Sequence, residues 1–406
     1  SRQAAVFTGL LAIHVVVVVG IIWLFYGFRY ATFRDAQPER DRMFFDATIP
    51  ELTEHSLVGT LVRFADNYRL LPQPYLHGFA FAVEHSQARS AFFAGERGHA
   101  GWRSFFPYAW LMKTPLPTIG LMAAAAWAVA SGWTAVRGQP SRRNKRARRR
   151  LDRAAYRTAP LWVFLIVYWA MAVYTNLNIG HRHILPTYPA MFILCGAAGR
   201  WLVGPAKWPR LIVVALVMLI AAESLRMYPH YLAYFNQLAG GPRLGYRHLV
   251  DSSLDWGQDL PGLRRWLEER QDPAWRGRPV YLSYFGTGSP RHYGIEANLL
   301  PGYTGWDRRE FFPLEPGTYC VSATMLPCIY LRPWQPWNDD YERQYQRDRE
   351  AVEEMIAMQR DDPGLYERLL ADPAHAEDAR AWSEILQRFD EFRFARLCAY
   401  LWRREP

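Results

Sequence analysis

Three aspartates at a regular spacing are the first residues in this sequence whose types could do chemistry. The stretch "DSSLDWGQDL" places Asp251, Asp255 and Asp259 four residues apart, with Trp256 and Gln258 between them. Such a group is compatible with a cation site, a sugar-binding platform or the polar start of a helix. Local rules favour the helix start, because Asp255 would be its N-cap and Gln258 would complete a capping box.

The remaining positions of this motif have different expected roles. Asp259 is placed to interact with the positive end of the predicted helix. The alternative to a structural role is that Asp251 and Trp256 face an acceptor or a cleft at the membrane surface. The sequence contains no Cys and His spacing typical of a metal site. We therefore predict no metal ligands and no cofactor, and a divalent metal has no support in the sequence.

Basic residues beside apolar segments form a second candidate set. Lys113 lies in "FFPYAWLMKTPLP", and His181, Arg182 and His183 lie in "NIGHRHILPTYP". A lysine within a membrane is costly unless it is paired, lines a wet cavity or snorkels to the interface. Short polar turns commonly carry residues such as His181, Arg182 and His183 for structural reasons alone. The functional alternative is that Lys113 and Arg182 together hold a lipid-linked phosphate, since both side chains suit phosphate oxygens.

The elements that must position these residues are apolar segments in the first half of the chain. Segments 4–28, 114–136 and 158–180 carry no formal charge and are long enough to cross a hydrocarbon core of about 30 Å. Weaker candidates are 184–203 and 209–226, and a buried or re-entrant helix is the alternative for the latter. The sequence thus predicts a membrane domain of about five transmembrane helices, followed by a small extracytoplasmic α/β domain.

The distribution of charge predicts the orientation of this domain. Residues 137–159 hold ten basic residues and one acidic residue, whereas 29–104 hold nine of each and 226–406 hold 23 basic and 27 acidic residues. A basic run alone could bind nucleic acid, but between two apolar spans the positive-inside rule explains it better. We predict no nucleic-acid partner. The predicted boundaries are 1–28 (first span), 29–104 (extracytoplasmic loop), 105–136 (second span), 137–159 (cytoplasmic loop), 160–226 (third to fifth spans) and 227–406 (extracytoplasmic domain).

The extracytoplasmic loop contains one clear helical pattern. Leu57, Leu61, Phe64 and Ala65 fall at helical spacing, and the prolines of "LLPQP" should end that helix. The helix is expected to lie on the membrane surface or to pack against the C-terminal domain.

The C-terminal domain is predicted to contain a sheet with helices packed on it. The expected elements are a helix at 257–270, strands at 278–286, 317–325 and 392–402, and helices at 338–360 and 376–390. Cys195 falls in a predicted span, and one disulfide can form among Cys320, Cys328 and Cys398, with the pair left open. The sequence has no glycine-rich phosphate loop, serine nucleophile elbow or HExxH motif.

Four blocks of sequence together resemble a known family. They are "FFPYAWLMKTPLP", "HRHILPTYP", "YLAYFNQLAGGPRLGYRHLVDSSLDWGQDL" and "VYLSYFGTGSPRHYGI". In this order they resemble bacterial membrane glycosyltransferases of the C-type superfamily, close to the protein O-mannosyltransferases and aminoarabinose transferases (family 39-like). The resemblance runs from about residue 20 to 300.

The resemblance implies a multi-pass enzyme of the bacterial inner membrane. Such enzymes are inverting and move a sugar from a polyprenyl-phosphate donor to a protein, lipid or glycan acceptor outside the cytoplasm. A carboxylate in the first extracytoplasmic loop is the general base, and cations hold the leaving phosphate. By this resemblance, Lys113 and Arg182, flanked by His181 and His183, would lie on the donor-phosphate side. The implied partners are the lipid-linked donor, the acceptor and membrane lipids.

The chain also departs from the family, whose members have about a dozen spans. We therefore expect it to be the C-terminal part of the enzyme, inactive alone, with the catalytic acid upstream of residue 1. Asp35, Glu39 and Asp41 follow the first span, but they are not assigned as the base. The alternatives are a non-catalytic membrane subunit that binds glycan or lipid-linked sugar and, more weakly, a transporter, for which no inverted repeat is evident.

Overall fold

A computed structural model describes most of the chain. The described residues are 2–33, 57–87, 89–136, 142–269, 277–302, 315–333, 336–365, 368–369 and 375–404. They belong to two compact units, one made of residues 1–89 with 175–177 and the other of 90–174 with 178–406. Asp35, Glu39 and Asp41 lie outside the described residues.

Four helices in the described residues are long and apolar enough to cross a membrane, instead of the five expected. These candidate spans are Ala5–Phe25, Leu116–Ala135, Lys145–Tyr174 and Lys207–Arg226. They belong to helices α1 (Arg2–Phe25), α5 (Leu116–Val136), α6 (Arg142–Tyr174) and α9 (Lys207–Arg226). Each of these helices is long and apolar enough to match the thickness of a bilayer. The last one confirms that 209–226 forms a long helix.

The fifth expected span, 184–203, is divided in the structure. It contains α7 (Thr187–Cys195), a 3-10 turn (Gly196–Gly199) and α8 (Arg200–Val203). Both helices are shorter than a membrane span requires. The glycines that bound the turn lower helix propensity, which favours the tighter winding at that point.

The divided segment nevertheless follows α5 for much of its length. Tyr188 near its start shares a hydrogen bond of 2.6 Å with Thr114, just before α5 begins. Arg200 near its end donates to the carbonyl oxygen of Ala128 in the second half of α5. The two contacts show that the segment and α5 run in the same direction, side by side.

The first unit joins the end of α1 to two short helices, α2 (Leu57–Asn67) and α3 (Gln73–Gln87). The indole of Trp23 donates to the carbonyl oxygen of Leu70 over 3.1 Å. Helix α2 confirms the helical pattern of the loop, and it ends at Asn67, before the prolines. Helix α3 was not predicted.

Helix α2 has one buried face and one exposed face within its own unit. Val62 is buried against Leu76 and Ala80 of α3, whereas Leu57, Leu61 and Phe64 are exposed. The exposed apolar stripe keeps the predicted amphipathic character of this helix.

The second unit continues from a small hairpin into the helical bundle. Strands β1 (Ala91–Phe93) and β2 (Glu96–Gly98) pair antiparallel, and α4 (Phe105–Lys113) follows them. Within the bundle, Ala125 of α5, Ala198 and Val213 of α9 are buried together. The small side chains let these helices approach closely.

The C-terminal part of the second unit contains a parallel sheet. After α10 (Leu260–Glu269), strand β3 (Val280–Ser283) lies between β4 (Asn298–Leu299) and β5 (Thr318–Val321). Tyr281 pairs with Tyr319 in the register of β3 and β5. The expected strands at 278–286 and 317–325 are therefore confirmed.

The third expected strand, at 392–402, is wrong. This segment belongs to α12 (Ala376–Arg404), which packs against α11 (Asp339–Asp361). The alternation of "FRF" imitates a strand, but the buried Phe394 and Cys398 lie four residues apart, as on one helix face. The helical segments expected at 338–360 and 376–390 are confirmed.

All four cysteines are free thiols in the structure. Cys328 and Cys398 belong to the same buried cluster, together with Tyr281, Phe285 and Phe394.

Candidate functional site

Residues from three distant parts of the sequence meet at one place, which we call the motif junction. It consists of Lys113 at the end of α4, the turn His181–Ile184 and the turn Asp251–Ser253. The 3-10 turn Tyr231–Ala233 also contacts it. Three of the four sequence blocks that carry the family resemblance therefore share one site in the fold.

Lys113 occupies the centre of the motif junction and is 9 % exposed. Its ammonium donates to the carbonyl oxygen of Leu232 over 2.8 Å and to that of Ser253. The same group lies 4.3 Å from the ring centroid of Phe235. Lys113 precedes the candidate span of α5, and burial lowers the pKa of its ammonium to about 7. Through these contacts Lys113 connects α4 to the turns that contain Leu232 and Ser253.

His181 is held as a neutral ring. Its Nε2 atom lies 2.8 Å from the hydroxyl of Tyr188, and its backbone N–H donates to Ser253 Oγ over 3.1 Å. Burial, and then the charge of Lys113, lower the pKa of His181 to about 3. His181 therefore adds no positive charge to the site near neutral pH.

Arg182 is the predicted donor-side residue with an exposed side chain. Its guanidinium lies 5.4 Å from the ring centroid of Trp256, within the range of a cation–π contact. His183 is half-buried; its carbonyl oxygen accepts from Tyr168, and its ring lies 6.2 Å from that of Phe106. The turn thus exposes Arg182, buries the ring of His181 and leaves His183 half-buried.

Asp251 is a structural carboxylate with both oxygens bonded. Tyr330 donates to Oδ2, the backbone N–H of Ser252 donates to Oδ1, and the N–H of Asp251 itself donates to Thr324 Oγ1 over 3.1 Å. Its φ of 58° is left-handed, a conformation that aspartate tolerates better than most residues. Asp251 is 4 % exposed and does not face open solvent.

A close backbone contact fixes the two turns of the motif junction to each other. Ser252 donates to the carbonyl oxygen of Ile179 over 2.7 Å. A Cβ added at Gly180 would overlap the Ser252 hydroxyl oxygen and lie 3.2 Å from Ser252 Cβ. An alanine at 180 would force the Ser252 side chain to move, so glycine allows the close approach of the two turns.

Asp255 and Gln258 do not form the predicted capping box at a helix start. Asp255 Oδ1 accepts from the N–H of Gly257 over 2.8 Å, and Gln258 Oε1 accepts from the N–H of Trp256 over 2.6 Å. Gly257 has a left-handed φ of 72°, so the helix begins only at Leu260. Both side chains close a turn before α10.

The second oxygen of Asp255 differs from the first. Oδ2 is buried and has no hydrogen-bond partner in the part of the chain that the structure describes, and the whole residue is 8 % exposed. Burial raises the pKa of the carboxyl, with the Gly257 N–H and the nearby Ser322 hydroxyl opposing the shift. Ser322 nevertheless makes no hydrogen bond of normal geometry to Oδ2.

Asp255 also lines a cavity of about 540 Å³, which we call the Asp255 cavity. Its walls include Trp266 of α10, Tyr284 after β3, and Tyr319 and Ser322 of the β5 region. Asp259 lies at its edge, exposed and 3.8 Å from His230.

Several residues of these sites were not predicted from the sequence. Tyr330, Thr324 and Ser253 complete the motif junction, and Trp266, Tyr284 and Tyr319 line the Asp255 cavity. Ser253 lies in the longest of the blocks that carry the family resemblance, but no local pattern distinguishes it. The described residues contain no group of three or more His, Cys, Asp or Glu side chains that could hold a metal ion.

Comparison of the chain with protein-family models, with curated proteins and with solved structures gave no match.

Proposed function

We propose that this protein acts in sugar transfer from a polyprenyl-phosphate donor to an acceptor outside the cytoplasm, as part of a membrane glycosyltransferase. The observation that carries the proposal is the motif junction: blocks that resemble this enzyme class meet there, and Arg182 presents an exposed cation beside them. A guanidinium suits the oxygens of a phosphate leaving group and keeps its charge at all relevant pH values.

The proposed donor site is placed next to the candidate spans. Lys113 lies three residues before the start of helix α5, so a lipid tail in the bilayer and a phosphate at Arg182 are compatible. The buried contacts of Lys113 and the neutral ring of His181 leave Arg182 as the main phosphate ligand among the four predicted residues. The catalytic carboxylate is not assigned.

The proposed orientation rests on the basic N-terminal half of α6. This half contains the "RRNKRARRR" run and belongs in the cytoplasm by the positive-inside rule. The parallel sheet and its helices then face the periplasm of a bacterial inner membrane. A C-terminal alkaline phosphatase fusion should be active in cells, whereas a fusion within the basic run should be inactive. The reverse pattern would contradict this orientation.

The main test is sugar transfer by the full-length gene product in membranes, with synthetic polyprenyl-phosphate sugars as donors. Arg182→Ala should lower transfer on the order of 100-fold, because one charged ligand of the leaving group is lost. Arg182→Lys should retain part of the activity. The control is Arg349→Ala, which removes an exposed arginine on α11 that pairs with Glu353.

The outcome separates the enzyme from the alternative of a non-catalytic subunit. Equal transfer by Arg182→Ala and the wild type, at equal amounts in the membrane, would contradict the phosphate assignment. A purified protein that binds the donor but transfers no sugar to any acceptor would favour the subunit. Lys113→Ala is expected to abolish transfer, because it removes the bonds to Leu232 and Ser253 that hold the motif junction together. Normal transfer by this variant would show that the site does not depend on Lys113.

A further inference from the structure

The Asp255 cavity lies where parallel sheets commonly bind ligands. Tyr284 follows the last residue of β3, and Ser322 follows the last residue of β5. Both residues line the cavity at the carboxyl ends of two parallel strands, the edge at which open α/β sheets place their ligands. Its volume of about 540 Å³ also falls within the ordinary range for small-molecule sites.

Asp255, which lines this cavity, has one carboxylate oxygen without a hydrogen-bond partner among the described residues. Asp255 Oδ1 accepts from the N–H of Gly257, and the buried Oδ2 has no hydrogen bond of normal geometry from any described residue, the nearby Ser322 hydroxyl included. A buried carboxylate oxygen without a donor is unfavourable, and a hydroxyl group brought by a ligand would remove the penalty. The turn around Gly257 packs closely against Gly286, because a Cβ added at Gly286 would lie 2.6 Å from the carbonyl oxygen of Trp256.

The charge and the aromatic residues of the cavity define the class of ligand. Its described lining contains the carboxylates of Asp255 and Asp259 and no Lys, Arg or His. This lining disfavours a phosphate or any other anion. Trp266, which is 40 % exposed, and the rings of Tyr284 and Tyr319 offer apolar faces against which a sugar ring can pack.

We propose that the Asp255 cavity binds a neutral saccharide, one hydroxyl of which donates to Asp255 Oδ2 while the ring packs against Trp266. The site is chemically distinct from the donor-phosphate side at Arg182, because it is acidic where that side is cationic. Its role as the subsite for a glycan acceptor rests on the proposed transferase function, whereas saccharide binding itself does not.

The test measures binding without any donor, so it is independent of sugar transfer. The full-length protein in nanodiscs is titrated with cellobiose, maltose and mannobiose by saturation-transfer NMR, with glucose 1-phosphate as the anionic probe. At least one neutral disaccharide should bind, and glucose 1-phosphate should bind more weakly than that disaccharide.

Two variants test the assigned contacts. Asp255→Asn keeps an oxygen for the Gly257 N–H but replaces the unsatisfied oxygen by an amide donor, so disaccharide affinity should fall about tenfold. Trp266→Ala should lower affinity about fivefold through the lost ring face. The control is Asp340→Asn, at an exposed aspartate of α11 that pairs with Arg343 outside the cavity, and it should change affinity less than about twofold. Melting temperatures of the variants check that each is folded.

The results that would overturn the proposal are equally specific. Unchanged disaccharide affinity in both Asp255→Asn and Trp266→Ala would do so, as would the absence of binding by all three disaccharides, or tighter binding of glucose 1-phosphate. Loss of sugar transfer in Arg182→Ala with disaccharide binding retained supports both proposals. Normal transfer in Arg182→Ala with disaccharide binding retained would remove only the donor site.

Discussion

The motif junction and the Asp255 cavity each contain one aspartate of the same sequence motif, Asp251 and Asp255, which are four residues apart. The two aspartates have opposite hydrogen-bonding environments. At the junction, both oxygens of Asp251 accept hydrogen bonds, and the side chain is sealed between loops. At the cavity, Asp255 bonds the Gly257 N–H through one oxygen and leaves the other without a partner. Buried polar groups are normally satisfied, so the difference separates a structural carboxylate from one available to a ligand.

The largest effect on stability should come from removing the hydrogen bonds of Asp251. Asp251→Ala removes the carboxylate acceptor of the Tyr330 hydroxyl and the Ser252 N–H, and it places alanine at a left-handed φ. We expect a loss of about 3–4 kcal/mol in the free energy of unfolding. Thermal unfolding of the purified protein in detergent measures it. Asp251→Asn is the matched variant and should lose less, because asparagine tolerates this φ and keeps one acceptor.

An alanine variant that melts like the wild type would show that these bonds contribute little. Asp251 would then be free for another role, and the contrast with Asp255 would disappear.

The close approach of the two turns gives the next prediction. Gly180→Ala should cost about 2 kcal/mol of stability, because its methyl group overlaps the Ser252 hydroxyl. In a Ser252→Ala background the same change should cost less, although the second substitution also removes the bond to Ile179. A double-mutant cycle of unfolding free energies checks the coupling. Strict additivity would contradict the contact.

Asp255→Asn should have the opposite sign from Asp251→Ala. Burial raises the pKa of Asp255, so the folded protein binds this proton more tightly than the unfolded chain does. Its contribution to stability is therefore lost as pH rises through the folded pKa and regained as pH falls toward the unfolded value. Asp255→Asn should be as stable as the wild type at pH 7, or more stable by up to about 1 kcal/mol, and should lack this pH dependence.

Unfolding measured between pH 4 and pH 7 in the wild type and Asp255→Asn decides this point. A clear destabilisation by Asp255→Asn at pH 7 would mean that Oδ2 has a partner in the folded protein, which would remove the contrast on which the cavity proposal depends.

The smallest effect is expected at the third aspartate of the motif. Asp259 is 71 % exposed at its side chain, and its contact with His230 spans 3.8 Å at the surface. Exposed ion pairs contribute little, so Asp259→Asn should change the free energy of unfolding by less than about 0.5 kcal/mol. A larger loss, measured by the same melts, would place Asp259 with Asp251 among the structural carboxylates.

Regular features with a local cause were predictable from the sequence. Helix α2 follows from its apolar spacing, β3 and β5 from their β-rich runs, and the candidate spans from uncharged length. Errors arose where a local pattern fitted two structures. The start of α10 was placed too early because Gly257 adopts a left-handed conformation, and 392–402 continued a helix that its alternation obscured.

Long apolar helices, a basic segment between two of them and a small sheet are predictable from the amino-acid order alone, because composition and periodicity act over a few residues. Which aspartate of "DSSLDWGQDL" is structural was decided only by the tertiary structure. Tyr330, 79 residues away, satisfies Asp251, whereas among the described residues no donor makes a hydrogen bond of normal geometry to Asp255 Oδ2. Identical carboxylates four residues apart differ only in the distant groups that the fold brings to them.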